Sequence, residues 1–192
     1  MKGRGPQPRT DLSAEFRQRV RDRFRWVYDP DRDATFADPT GWWRDPQVLA
    51  SIGPELGRLA GRTDPQVVLA PGSRGTLIGA LVAAELGVGL IELRKELGQI
   101  SDTDAWLVAR TPPDYRDRNL ALGIRADLLA PGTRVVFVDD WVETGGQLQA
   151  AHGITMRAGA HRCGAAVIVD GLADARLRRD LRVTSLFNLR DL

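Results

Sequence analysis

The sequence predicts an α/β fold in which a central, mostly parallel sheet is flanked by helices. From about residue 67 onwards, short apolar runs of strand length alternate with segments of helical length, and this alternation favours parallel β-α-β units. The clearest strand is Arg134–Val138, a β-branched run that ends directly before two aspartates. Such sheets bind ligands outside the carboxyl ends of their strands, so a site is expected there.

The length and composition predict one globular domain. A chain of 192 residues has the size of a single domain, and 43% apolar with 27% charged residues is ordinary for a folded protein. Residues 1–10 combine Gly, Pro and Arg and are expected to form a mobile arm, which leaves 11–192 as the domain. The 27 basic and 25 acidic residues nearly cancel, so a nucleic-acid partner is not indicated.

Rare residue types exclude several kinds of site. Cys163 is the only cysteine, which excludes an internal disulfide framework and a Cys-rich zinc site. His152 and His161 are the only histidines, which leaves little material for a His-based triad or a multi-His metal site. The N-terminus lacks the apolar segment of a signal peptide, and no run of about 18 apolar residues occurs, so we expect a cytoplasmic protein without a membrane partner.

The N-terminal third is predicted to form two helices joined by a loop. Apolar residues at helical spacing extend over Leu12–Val27, with arginines on the opposite, solvated face. The next stretch, Asp29–Pro46, is rich in Pro, Asp and Trp without a period, which indicates a long ordered loop. Pro46–Ala60 again has helical spacing, with a kink or break expected at Gly53–Pro54.

The rest of the chain supplies the strands and helices of the sheet. Its predicted strands are Val67–Leu69, Val88–Leu93, Ala105–Ala109, Asn119–Gly123, Arg134–Val138, Ala165–Val169 and Val183–Phe187. Its predicted helices are Thr76–Leu86 and Gln147–Ala158.

A first motif, from Val135 to Ala151, has the composition of a sugar-phosphate site. The strand delivers Asp139 and Asp140 to its carboxyl end, and the segment Thr144-Gly145-Gly146 then turns into a helix. Glycines let backbone N–H groups approach an anion closely, and the helix start adds partial positive charge. The turn therefore suits a phosphate, while the two carboxylates suit ribose hydroxyls or magnesium.

This motif resembles the signature of the type I phosphoribosyltransferases, which have a Rossmann-like fold. That signature is an apolar strand, two acidic residues, a few variable residues, and then Thr-Gly-Gly, usually followed by Thr. Here Gln147 stands at the final position. The resemblance implies that Asp139, Asp140, Glu143 and the segment Thr144–Gln147 bind ribose 5-phosphate.

A second motif resembles the adenine phosphoribosyltransferase branch of this family. In "LAPGSRGTLIGALVAAELGVGLIELRKELG", a short Ser-Arg-Gly turn opens a helix and an Arg-Lys pair ends the next strand. By resemblance, Ser73, Arg74 and Gly75 would bind pyrophosphate, and Lys95 would neutralise it. Arg74 could equally be an exposed turn residue in so Arg-rich a chain, whereas Lys95 is one of only two lysines.

The resemblance covers nearly the whole chain, from about residue 24 to 189. It includes "FADPTGWWRDP" upstream and "LLAPGTRVVFVDD" directly before the acid pair. It is weakest in the segment 96–118, which we expect to be a flexible lid, since "ELGQISDTDAW" replaces the usual Gly-Lys-Leu-Pro of the branch. The N-terminal segment at about 24–45 would form a small hood.

Trp141, Glu143 and two residues of the hood are candidates for contacts with the base. Trp141 could stack on a flat heterocycle or pack in the core. Glu143 could act as a general base or hydrogen-bond acceptor, or be a solvated turn carboxylate. The hood segment Arg25–Tyr28 resembles the base-binding hood of the branch, and from it Val27 and Tyr28 are the candidates for base binding.

The resemblance implies transfer of ribose 5-phosphate from phosphoribosyl pyrophosphate to a purine-like base, with adenine as the first choice. The implied catalytic residues are Asp139, Asp140, Glu143, Lys95 and Arg74. Mg²⁺ would be bound through the donor, with Asp139 and Asp140 as candidate ligands. It also implies a homodimer. The alternatives are a divergent transferase for an unusual base and a regulator that senses phosphoribosyl pyrophosphate. A dinucleotide-binding fold is not indicated, because no Gly-x-Gly-x-x-Gly follows a predicted strand.

Overall fold

The computed structural model describes residues 14–95, 105–112 and 119–192. The predicted arm and most of the predicted lid therefore lie outside the described residues. The chain divides into two compact units, one up to Ser51 and one from Ile52 onwards. In the part of the chain that is described, no helix is long and apolar enough to cross a membrane.

The first unit contains short helices and a hairpin. Its elements are α1 (Ala14–Arg23), β1 (Arg25–Asp29), β2 (Ala34–Asp38), α2 (Thr40–Arg44) and the start of α3 (Pro46–Ala60). The indole of Trp42 is fully buried, and its Nε1 donates a hydrogen bond to the carbonyl of Val20 at 2.9 Å. Asp45 caps α3, because its Oδ1 accepts the backbone N–H groups of Gln47 and Val48.

Two predictions for this unit are wrong. The helix predicted over Leu12–Val27 ends at Arg23, and Val27 lies in β1, which pairs antiparallel with β2. The loop predicted over Asp29–Pro46 contains β2 and α2. Phe24 is buried beside Trp42, with ring centroids 5.8 Å apart. Because Phe24 is buried like the apolar residues of α1, the apolar residues keep helical spacing past Arg23, where the helix ends. The spacing therefore predicts too long a helix.

The second unit is built on a parallel sheet flanked by helices, as the sequence predicts, and this sheet has five strands. Its strand order is β4-β3-β7-β8-β9, and all neighbouring strands are parallel. The strands are β3 (Val67–Pro71), β4 (Gly89–Leu93), β7 (Arg134–Val142), β8 (His161–Asp170) and β9 (Val183–Asn188). The helices are the end of α3, α4 (Arg74–Leu86), α5 (Gly146–Arg157) and α6 (Ala175–Asp180). Helix α3 is continuous through Pro54, so the alternative of a break there is wrong.

Two further predicted strands exist outside this sheet. They are β5 (Trp106–Arg110) and β6 (Ala121–Arg125), which form their own antiparallel pair. The pair is joined to the end of β4 by the reciprocal backbone hydrogen bonds of Arg94 and Gly123, each 2.9 Å long. Strand β5 lies within the segment 96–118 that the sequence predicts as a lid.

The strand order places a topological switch point between β3 and β7. From β3 the chain continues to β4 on one side, while β7 continues to β8 on the other. The pairing of β3 with β7 ends at Leu69 and Phe137, before the carboxyl ends of both strands. In doubly wound sheets of this order, the crevice at such a point is the usual ligand site.

We expect His152, on α5, to make the stability of this unit depend on pH. Its Nδ1 is buried and has no hydrogen-bond partner among the described residues. Burial, followed by the charge of Arg162, lowers the pKa of His152 below 6.5. The unfolded chain therefore binds this proton more readily than the folded one, so stability is fully present above pH 6.5 and falls as the pH drops below it.

We expect His152→Gln to reduce this loss of stability in acid, because the variant has no imidazole to protonate. Urea unfolding midpoints of both proteins at about pH 7.5 and about pH 5.5 measure the effect. An equal decrease in the two proteins would show that other groups cause it.

Candidate active site

The predicted pyrophosphate loop connects β3 to α4 at the switch point. Its first residue, Gly72, donates its N–H to the carbonyl of Leu93 at 3.0 Å, and the Gly72–Ser73 peptide is cis. Ser73 precedes α4, and its side chain makes no capping hydrogen bond. The first N–H groups of a helix lack partners within the helix, so here they remain available to an anion.

Gly75 permits the close approach of this loop to the acid pair. It lies in the first turn of α4 and is buried. A Cβ at this position would lie 2.7 Å from Asp139 Oδ1 and within 2.9 Å of the ring of Pro71. Only glycine fits between the end of β3 and the carboxylate without a shift of one of them.

Asp139 and Asp140 are buried at the carboxyl end of β7, each about 5% exposed. Asp139 Oδ1 accepts the backbone N–H of Asp140 at 2.8 Å, so this carboxylate is bonded within its own strand. Burial and then the negative charge of Asp140 raise the pKa of Asp139 well above its ordinary value, and the positive charge of Lys95 acts in the opposite direction.

Asp140 joins the two predicted motifs. Arg74 Nε lies 3.0 Å from Asp140 Oδ2. This oxygen nevertheless accepts no hydrogen bond of good geometry in the part of the chain that is described. Asp140 Oδ2 therefore has an ion-pair partner from the pyrophosphate loop and is buried without a hydrogen-bond partner among the described residues.

The predicted phosphate loop follows β7. Gly145 has a positive φ of 76°, a conformation that favours glycine, and Gly146 N donates to Thr144 Oγ1 at 3.3 Å. Helix α5 begins at Gly146, one residue before the predicted start. Gln147 Oε1 is buried without a hydrogen-bond partner among the described residues. A glycine turn into a helix N-terminus has the geometry of a phosphate site.

The other predicted residues are placed as follows. Lys95 is exposed and lies two residues after β4. Glu143 is exposed, and Trp141 is half-buried, with its Nε1 3.3 Å from the position that a Cβ on Gly171 would take. Val27 and Tyr28 are exposed on β1 in the first unit, as is their neighbour Trp26.

The phosphate loop is supported from behind by residues at the end of β8 and in α6 that the sequence did not predict. Asp170, buried at the end of β8, accepts hydrogen bonds from Arg178 of α6, and this contact raises the pKa of Arg178. Arg178 also donates to the carbonyl of Leu172. A Cβ on Gly145 would lie 3.3 Å from Leu172 and 3.1 Å from Leu177, so both leucines pack against the loop. An apolar strand ending in aspartate, as in "VIVD", was the available signal.

Curated proteins similar to this chain are adenine phosphoribosyltransferases. One from Mycobacterium marinum is 33% identical over 187 residues, which cover 96% of this chain and 95% of that protein. One from Streptomyces coelicolor is 33% identical over 160 residues, which cover 81% of this chain and 84% of that protein. No protein-family model matches the sequence.

The fold is also that of solved adenine phosphoribosyltransferases. The crystal structure of the protein from Thermoanaerobacter pseudethanolicus superposes with a TM-score of 0.79 at 24% identity, covering 90% of this chain and 99% of that one. The fold, the order of the motifs and the curated relatives agree. The chain therefore belongs to the adenine phosphoribosyltransferase family, a branch of the type I phosphoribosyltransferases.

Proposed function

We propose that this enzyme transfers ribose 5-phosphate from phosphoribosyl pyrophosphate to adenine and releases pyrophosphate. The observation that carries the proposal is the contact between Arg74 and Asp140, 3.0 Å long. It links a loop suited to pyrophosphate with a carboxylate suited to ribose, at the switch point of the sheet. A donor whose ribose lies between a pyrophosphate and a 5-phosphate matches the spatial order of these sites.

Each end of the donor has its own group of residues. The N–H groups at the start of α4, with Arg74 and Lys95, would bind the pyrophosphate. The turn Thr144–Gln147 would bind the 5-phosphate through backbone N–H groups. Asp140 Oδ2, which accepts no hydrogen bond from the described residues, would accept one from a ribose hydroxyl.

The transfer breaks the bond between the anomeric carbon and the pyrophosphate oxygen and forms a bond to a nitrogen of adenine, which loses a proton. Positive charge grows on the sugar in an oxocarbenium-like transition state, while negative charge grows on the pyrophosphate. Asp139 and Asp140 would offset the first charge, and Arg74 and Lys95 the second. Glu143 would accept the proton or a hydrogen bond from the base.

The site fits a donor-bound Mg²⁺ better than a metal held by protein alone. Among the described residues, no cluster of three or more His, Cys, Asp and Glu side chains could hold a metal. Mg²⁺ typically takes one or two carboxylates together with substrate phosphates and water, and Asp139 and Asp140 offer two. When bound, the ion would neutralise part of the charge on the pyrophosphate.

We further propose that Trp141, Val27 and Tyr28 contact the base, as the family resemblance implies. The rings of Trp141 and Tyr28 are large, flat surfaces that suit a purine, and Val27 offers an apolar contact. The resemblance also implies a homodimer and a cytoplasmic location. Light scattering after size-exclusion chromatography measures the mass of the particle in solution and so checks the dimer.

The test is the conversion of adenine with phosphoribosyl pyrophosphate and Mg²⁺. We expect mass spectrometry to detect adenosine 5′-phosphate and equimolar pyrophosphate. Hypoxanthine, guanine and a pyrimidine base are compared in parallel.

Lys95→Ala serves as the impaired variant, and we expect its turnover to be at least about a hundredfold lower, the scale of one lost electrostatic contact in the transition state.

Two results would contradict the proposal. If a nucleotide formed from another base but not from adenine, adenine would be the wrong acceptor and the other base would take its place in the proposal. The absence of any nucleotide, together with the absence of donor binding, would refute the activity itself.

A further inference from the structure

Glu92 places a negative charge beside the loop that is to bind pyrophosphate. It lies near the carboxyl end of β4 and pairs with Ala70 of β3, so it stands next to the start of the loop. Its Oε1 is 3.2 Å from the position that a Cβ on Gly72 would take. The same oxygen accepts a hydrogen bond from Thr76 Oγ1, in the first turn of α4, at 3.3 Å. The carboxylate thus lies beside Gly72 of the loop and is hydrogen-bonded to the first turn of α4.

Among the described residues, the charge of Glu92 is poorly compensated. The nearest cationic atom there is Arg94 Nε, 3.9 Å from Glu92 Oε2, which is too long for a hydrogen bond. The side chains of Arg94 and Glu92 are about half exposed, at 44% and 47%, so their attraction neutralises little of the carboxylate charge. Arg74 pairs with Asp140.

A free pyrophosphate carries several negative charges, so a carboxylate at the mouth of the loop repels it. A pyrophosphate bound to a divalent cation carries less net negative charge, so the same carboxylate repels it less. Even at the dielectric constant of water, a like charge a few ångströms away weakens the binding of an anion, and the effect grows with the charge of the anion. The position of Glu92 therefore penalises the metal-free ligand more than the metal-bound one.

We infer that Glu92 is a specificity-determining residue that makes the loop select metal-bound over metal-free pyrophosphate. The inference rests on the proposed function, since it assumes that this loop binds pyrophosphate. It concerns the selectivity of the loop and not the chemical step.

The test measures pyrophosphate binding by calorimetry at low ionic strength, with Mg²⁺ in excess and with EDTA. The quantity of interest is the ratio of the dissociation constant in EDTA to that in Mg²⁺. Glu92→Gln removes the charge but keeps an oxygen that can accept from Thr76. We expect this variant to bind metal-free pyrophosphate more tightly and the ratio to fall at least about fivefold. Raising the salt concentration should shrink the difference between the proteins.

Glu55→Gln is the matched control, since Glu55 is a surface carboxylate on α3 that pairs with Arg58 at 3.1 Å. We expect it to leave the ratio unchanged. An unchanged ratio in Glu92→Gln, or a weakening of both forms by the same factor, would overturn the inference and leave Glu92 with a structural role.

The outcome also separates the inference from the proposed function. Wild-type protein that turns over adenine and binds pyrophosphate, with an unchanged ratio in Glu92→Gln, refutes the inference alone. Wild-type protein that binds pyrophosphate in neither condition refutes both.

Discussion

Replacing Asp140 by Asn is expected to lower kcat at least about a hundredfold, the usual scale for the loss of one electrostatic contact in the transition state. Asp140 is buried at the end of β7, and its Oδ2 accepts no hydrogen bond from the described residues. Asn has nearly the same size and can still accept one hydrogen bond from a ribose hydroxyl. What it removes is the negative charge that offsets the positive charge of the sugar.

The same substitution should leave pyrophosphate binding near that of the wild type. Arg74 loses its ion-pair partner at 3.0 Å but gains freedom to contact the ligand. A decrease in kcat without weaker pyrophosphate binding therefore identifies a role at the ribose. Steady-state kinetics and calorimetry with pyrophosphate measure the two effects.

Asp127→Asn is the control for this experiment. Asp127 is an exposed carboxylate that pairs with Arg125 at 2.7 Å, and exposed pairs contribute little to stability. We expect its kcat and its melting temperature to stay near the wild-type values. Activity of Asp140→Asn within tenfold of wild type, in a protein that melts normally, would exclude Asp140 from the chemistry.

The central sheet could be predicted because buried parallel strands have a strong local signal. Strands such as β3 and β7 are apolar and β-branched, and turn residues follow them. The hairpin β1–β2 has no such signal, since most of its residues are exposed and its stability depends on a partner strand. For the same reason, the antiparallel pairing of β5 with β6 could not be read from either strand alone.

The site could be predicted only as two separate motifs. Each motif is contiguous in sequence, which is why Ser73–Gly75 and Asp139–Asp140 could be recognised. Their contact through Arg74 is a property of strand order, because β3 and β7 are neighbours although 62 or more residues separate them in sequence. Glu92 could not be predicted as a site residue, because a single glutamate in a strand forms no distinctive pattern. Only the structure shows that it lies beside the loop at Gly72.

Gly75→Ala is expected to cost about 1–3 kcal/mol of stability and to lower kcat/KM by about a hundredfold. The new Cβ would lie 2.7 Å from Asp139 Oδ1 and 2.8 and 2.9 Å from two carbons of the Pro71 ring. A proline ring cannot bend away, and Asp139 is buried and bonded to the backbone of Asp140. The first turn of α4 must therefore move, and Ser73 and Arg74 move with it.

Gly153→Ala tests whether this effect comes from the site or from helical glycine in general. Gly153 lies in α5, and a Cβ there would meet no atom within 4 Å. Alanine in an open helical position is expected to stabilise the protein by about 0.5–1 kcal/mol and leave kcat/KM unchanged. Urea unfolding and steady-state kinetics of both variants give the comparison. If Gly75→Ala matched Gly153→Ala in both measurements, the close packing of α4 against Asp139 would have no role in holding the loop, and the loop would have to be positioned from the β4 side alone.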